Sequence, residues 1–153
     1  MHLGVFYPLQ TFTKNRIVNM KEVPFFIEAT NKRFGDLLVD LASVISDNVN
    51  IATSEERSKL HLAAVFVNNF TNHILHQAKM YSDDNDVNFS HLMPLLSETI
   101  HKVKNHNPKD VQTGPAKRGD EQTIRHQMKN LEGDALAIYT LLTDSIKKTH
   151  LEE

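Results

Sequence analysis

Cysteine is absent from the 153 residues, which excludes disulfides, thiolate catalysis and any zinc site built on thiolates. That composition fits a cytoplasmic protein. Glycine is scarce, and the five present (Gly4, Gly35, Gly114, Gly119 and Gly133) nowhere form a GxGxxG turn after a strand. The motif that holds a dinucleotide pyrophosphate is therefore missing, as is the GxSxG of a serine hydrolase. An excess of one charge is lacking too. A formal net charge of −2 offers no basic patch to neutralise phosphates, so nucleic acid is not an expected partner. No long apolar run exists either. The longest stretch free of formal charge is 60–78, and its histidines, asparagines and glutamine make it too polar to face lipid, so no membrane association is expected. Residues 1–12 have neither a basic leader nor a small-residue cleavage site, so no signal peptide is expected.

What is present reads as one soluble domain of ordinary composition, with 40% hydrophobic and 24% charged residues, long enough to bury a core. The first thirty residues carry two short runs, GVFYP and VPFFIEA, whose β-branched and aromatic residues are bounded by Gly, Pro and Asn as buried strands are. Between them QTFTKNRIVNMKE is polar and loop-like, with room for one short strand. The pattern then turns helical. Phe34, Leu37, Leu38, Leu41, Ala42 and Ile45 recur at three- and four-residue spacing, which predicts an amphipathic helix over 34–45. Residues 48–52 suit a short strand or an extended link. Thr53 and Glu56 form a capping box, and the helix they start should reach about residue 81, roughly 40 Å at 1.5 Å per residue. Further helices are predicted over 90–104, beginning near Ser90 or bending at Pro94, over 120–131 with Asp120 as cap, and over 134–148. Residues 106–119, with two prolines and two glycines, read as a loop. Strands at one end and five helices after them leave two organisations open. Either the strands pair among themselves in a small α+β domain, or they are the closing strands of a larger sheet.

Two stretches could carry chemistry. Wound at 100° per residue, the long helix places His61, Asn68 and Asn72 on one line, with Asn69 and His76 beside it and an apolar arc opposite. A solvated face would carry Lys and Glu. Neutral amides instead suit a partly buried cleft, where a charge is costly and an amide is satisfied by a ligand or by a neighbouring helix. His73 and His76 sit three apart without a carboxylate on the helix after Glu56, so no metal is expected there. The second stretch is 112–120, QTGPAKRGD. Its glycines would let backbone N–H groups approach an anion ahead of a helix N-terminus, with Lys117 and Arg118 adding charge, or it simply joins two helices.

Taken together, FYPLQTF (6–12), PFFIEA (24–29), LHLAAVFVNNFTNH (60–73), LMPLLSETIHKV (92–103) and QTGPAKRGD…TIRH (112–126) resemble one group across nearly the whole chain. It is the C-terminal domain, itself of unassigned function, of Rossmann-like NAD(P)-dependent oxidoreductases distantly related to pyrroline-carboxylate reductase. The resemblance implies a mainly α fold, a multi-helix bundle similar to the C-terminal domain of 6-phosphogluconate dehydrogenase. Residues 1–30 would be the closing strands of a truncated Rossmann domain and 31–153 the helical substrate and dimerisation domain. It implies a homodimer, a missing N-terminal Rossmann domain that carries NAD(P), and hydride transfer to or from a small carbonyl, imine or alcohol. Alone, the chain is not expected to hold the cofactor tightly or to be active. Substrate contacts are expected from Asn68, Asn69, Asn72, Gln112, Thr113 and Arg118, with Gln10 toward the cofactor. His61 is the candidate acid. Two departures limit what carries over. Ala64 stands where hydroxyacid-dehydrogenase relatives have a lysine four residues before Asn68, and Gln112–Pro115 replaces the Ser-Pro-Gly-Gly-Thr-Thr segment of the reductase. The alternative reading is a noncatalytic helical interaction module.

Overall fold

The computed structural model describes residues 2–151. It divides into two compact units, one ending at Leu75 and the other beginning at His76.

The first unit opens with β1 (Gly4–Pro8) and β2 (Phe25–Ala29), paired antiparallel with Gly4 opposite Ala29 and Pro8 opposite Phe25. Helix α1 (Lys32–Ile45) then crosses to β3 (Val49–Ile51), which lies parallel to β2. A parallel pair needs such a crossover, because a tight turn cannot bring the chain back in the same direction. The 48–52 stretch is thus a strand, whereas no strand forms between β1 and β2, where only a 3₁₀ turn appears at Met20–Glu22. The sheet order is β1-β2-β3.

Strand periodicity sends alternate side chains to opposite faces. On one face Val23, Phe25 and Ile27 are buried against α1, whose Ala42 is fully buried, with Phe6, Leu38, Val39 and Ile45 packed round them. Removing each large apolar side chain from water contributes about 1.5–3 kcal/mol. Ser46 closes α1 beneath this core. Its hydroxyl donates to the Val23 carbonyl at 2.6 Å and accepts from the Asn48 N–H at 3.0 Å, tying the helix end to the adjoining strand ends. The other face of the sheet carries Tyr7, Phe26 and Glu28. There the Glu28 carboxylate pairs with Arg57 and accepts from the Ser54 hydroxyl, and α2 (Ser54–Ala64) is fixed to the sheet.

The predicted capping box is present, with Thr53 Oγ1 accepting from the Glu56 N–H and Glu56 reaching back to the Thr53 N–H. The predicted single α-helix is not. After α2, residues Val65–Phe70 wind as a π-helix before α3 (Thr71–Asp84) resumes α geometry. The Thr71 hydroxyl donates to the Phe66 carbonyl, five residues back, at 3.1 Å, satisfying an acceptor within the widened turn.

In the second unit a 3₁₀ turn at Phe89–Leu92 leads into α4 (Met93–Asn105), so Pro94 falls in the first turn, where its missing N–H costs nothing. The 106–119 stretch is not wholly a loop. It contains the short α5 (Pro115–Arg118), whose Ala116 is buried and which packs against α7 (Gly133–Leu151). Asp120 caps α6 (Glu121–Met128) as expected, though the helix stops three residues before Leu131. Glu121 pairs with Lys147, and the Tyr139 hydroxyl donates to Gln127 at 2.6 Å, joining α6 to α7. The molecule is mainly α with a small N-terminal sheet, as the sequence led us to expect.

Candidate functional site

The face of the sheet opposite α1 meets α2 beside a cavity of about 680 Å³ at the carboxyl end of β1. Because β1 runs antiparallel to β2, with Pro8 opposite Phe25, this end of β1 lies beside the amino ends of β2 and β3. Tyr7 is the last aromatic of β1. It points away from Phe6, whose ring packs at a tilt on Phe25 in the core, the centroids 5.0 Å apart. Its ring instead lies 6.4 Å from that of Phe26, and its hydroxyl is 3.2 Å from His61 Nδ1 on α2. The donor in this hydrogen bond depends on the imidazole tautomer.

Gln10 and Thr11 reach the cavity from the segment following β1, and Asn68 and Asn69 reach it from the π segment. The Gln10 side-chain oxygen accepts from the Thr11 N–H at 2.8 Å, which fixes the direction of that amide. Apolar lining comes from Leu9, Phe12, Leu60 and Val67, among others, and no Asp, Glu, Lys or Arg lines the cavity. The arrangement can surround a small molecule with uncharged donors and acceptors on an apolar floor. It contains one pair, tyrosine and imidazole, able to exchange a proton.

Four of the eight sequence candidates, Gln10, His61, Asn68 and Asn69, come together here. Asn72 is exposed and does not line the cavity. The expected single line of His61, Asn68 and Asn72 assumed 100° per residue. Across a π segment each turn holds more residues, and positions beyond it rotate away from those before. Asn68 and Asn69 remain because they lie within the widened turn. Tyr7 was missed. Its signal was the strand itself, since a buried strand that sends Phe6 to the core must send Tyr7 to the other face.

Gln112, Thr113 and Arg118 belong to the second unit. Gln112 donates its side-chain amide to the Thr113 carbonyl at 2.9 Å, and Thr113 and Arg118 are exposed. The Asp120 carboxyl is held below its ordinary range first by the Thr123 N–H and hydroxyl, and further by the positive charge of Arg118. These residues build a helix start around α5 and α6. The backbone dihedrals explain why. Gly114 has φ +102° and Gly119 φ +67°, conformations that suit glycine, and Pro115 between them starts α5 with a preset φ. A second cavity of about 580 Å³ in this unit is lined by Met80, Tyr81, Asp84, Lys129 and Glu132, among others. Among the described residues no group of three or more His, Asp or Glu is placed to hold a metal ion, and no helix is long and apolar enough to cross a membrane.

Comparison with known proteins adds to this picture. No protein with a curated description matches the sequence. A solved structure from Bacteroides fragilis, described as the candidate NADP oxidoreductase BF3122, aligns over 97% of this chain at 45% identity with a TM-score of 0.93. Protein TM1727 from Thermotoga maritima aligns over 96% at 20% identity with a TM-score of 0.77, a likeness of fold alone. This chain spans only 58% and 61% of those two proteins. Residues 23–146 match the family described as a domain of unknown function, DUF2520. Most of the chain lies within that match, and the protein belongs to the DUF2520 family.

Proposed function

We propose that this chain is the substrate-binding and dimerisation part of an NAD(P)-dependent oxidoreductase that moves a hydride between a nicotinamide and a small carbonyl, imine or alcohol. The observation that carries the reading is the 45% identity over 97% of the chain to the Bacteroides candidate NADP oxidoreductase. Residues 1–30 would then close a Rossmann sheet whose earlier strands, with the glycine turn, pair along the open edge of β1, and 31–153 would form the helical domain. Within the described sheet β1 is bonded on one side only, and an unpaired edge is a place for further strands. The distant kinship with pyrroline-carboxylate reductase and 6-phosphogluconate dehydrogenase belongs to the same reading, as does a cytoplasmic location.

The residues present fit one end of the cofactor. The cavity has amides for a carboxamide-bearing ring, and no cation for a pyrophosphate. Gln10 would face the nicotinamide, and Asn68 and Asn69 would hold the substrate by hydrogen bonds. When bound, the dinucleotide supplies or accepts the hydride. Asn72 stays in the proposal as a further substrate contact, and Gln112, Thr113 and Arg118 stay in it as substrate-binding candidates of the second unit.

Dimerisation rests on the apolar arc of the helical segment. Leu62, Phe66, Phe70 and Ile74 are all more than 40% exposed. No formal charge falls between Leu60 and Ala78, so a second copy could lie on this face without opposing like charges. The test is to purify the full-length protein and follow NADPH and NADH consumption with ketones, aldehydes, keto acids and cyclic imines. Turnover of any class upholds the reading. Absence of turnover with all of them, in a folded protein, leaves the noncatalytic interaction module.

A further inference from the structure

We propose that Tyr7 is the proton donor of this site, that His61 is the positioning residue behind it, and that the substrate accepted is an uncharged ketone or aldehyde. This rests on the oxidoreductase reading and goes beyond it in naming the acid and the substrate class.

Three observations carry it. Tyr7 Oη and His61 Nδ1 are 3.2 Å apart, and both residues line the same cavity. Tyr7 is half-buried near the end of β1, its ring braced by Phe26, whereas His61 is exposed on α2 and open to solvent. Of the two, the tyrosine is the fixed group and the histidine the one that can exchange protons with water. Finally, no Asp, Glu, Lys or Arg lines the cavity, while Gln10, Thr11, Asn68 and Asn69 supply neutral hydrogen bonds. An ammonium bound there would lose water with no carboxylate to meet it, and a carboxylate would meet only the exposed imidazole of His61, already engaged by the Tyr7 hydroxyl, at a cost that a carbonyl does not meet.

Reduction of a ketone needs a hydride at carbon and a proton at oxygen. The hydride belongs to the reduced nicotinamide dinucleotide of the proposed enzyme, which is oxidised as the carbonyl is reduced. The proton is the Tyr7 hydroxyl hydrogen. Its O–H bond breaks as the alcohol O–H bond forms, and the phenolate left takes the Nδ1 proton of the His61 imidazolium. Neutral imidazole then recovers a proton from water. Imidazole suits this role because it exchanges protons near neutral pH, and a positioned acid of this kind accounts for about 10²–10⁴-fold in rate.

The experiment uses the full-length protein with NADPH and four probes: acetophenone, cyclohexanone, methyl acetoacetate and, as its charged counterpart, acetoacetate. Wild-type protein should reduce at least one neutral probe and prefer methyl acetoacetate to acetoacetate. Tyr7→Phe keeps the ring against Phe26, so the fold should survive, and kcat should fall by about 10²–10⁴-fold with KM changed by less than about threefold. His61→Phe should lower kcat in the same direction by a smaller factor, because water can partly replace the imidazole, and His61→Gln should recover part of that loss by restoring a hydrogen-bonding group beside Tyr7. Nitrogen NMR of labelled histidine should show the His61 Nδ1 resonance displaced in Tyr7→Phe while other histidines stay in place. Wild-type kcat in a folded Tyr7→Phe, an unmoved His61 resonance, or a preference for acetoacetate overturns the proposal while the oxidoreductase reading stands. Failure of the wild-type protein with these probes and with imines and keto acids removes both.

Discussion

Asn68 and Ser46 show how differently two uncharged polar side chains serve this protein. Asn68 is exposed at the mouth of an open cavity, and Asn72 is exposed beyond it. Changing either to alanine should alter stability by less than about 1 kcal/mol, as for most surface positions. Ser46 is 1% exposed and both donates to Val23 and accepts from Asn48. Its replacement by alanine strands a buried carbonyl and an amide, and should cost about 1–3 kcal/mol. Urea melts of the three variants check the contrast. A large loss at Asn68 would make that residue architecture and would remove the substrate-binding role given to it.

Two predictions concern whole elements. Helix α5 is held between Gly114 and Gly119, and Gly114 lies at φ +102°, ψ 174°, a region open essentially to glycine alone. Open space surrounds the position a Cβ would take, so the penalty for Gly114→Ala is backbone strain, about 1–3 kcal/mol. A denaturation midpoint equal to that of wild type would contradict it. The second prediction concerns acid. Glu56 and Asp120 sit in N-terminal helix caps, and Glu28 anchors α2 to the sheet. Thr53 N–H and hydroxyl donors hold Glu56 low, Thr123 does so for Asp120, and the Arg57 and Ser54 hydrogen bonds do so for Glu28. A carboxyl whose folded value lies beneath its unfolded one contributes stability that is complete above the unfolded value. That contribution is lost as pH falls through the folded one. The decline should therefore begin near the ordinary values of 4.5 for glutamate and 3.8 for aspartate and continue below them. Thermal melts between pH 7 and pH 3 measure it, and Glu28→Gln should flatten part of the slope.

At the scale of the whole molecule the missing glycine turn and the exposed apolar arc make opposite demands. Without the turn, this chain expressed alone should bind NADPH and NADH weakly, with titration calorimetry showing no micromolar site. With the arc, it should nevertheless associate, and sedimentation at micromolar concentration should show a dimer that Phe66→Glu converts to monomer. Tight dinucleotide binding would contradict the division of labour proposed for the two parts of the enzyme. A wild-type monomer would remove the second copy from the face of Leu62, Phe66 and Phe70.

The sequence by itself determined the elements whose causes are local. The box at Thr53 and Glu56, the Asp120 cap, the apolar stripe of α1 and the β-branched and aromatic run VPFFIEA all act within a few residues, and each was legible. Helix α5 was legible in principle, since a Pro after one glycine and before another is a start and a stop, although the proline and glycine content disguised it as a loop. The pairing of β3 with β2, the π turn at Val65–Phe70 and the meeting of Tyr7 with His61 were decided only in three dimensions. The physical reason is the same for all three. Parallel strands find register through the helix that connects them and packs on their face, and a π turn trades regular hydrogen bonding for tertiary fit. Two side chains 54 residues apart share a hydrogen bond only because a sheet face and a helix close upon it.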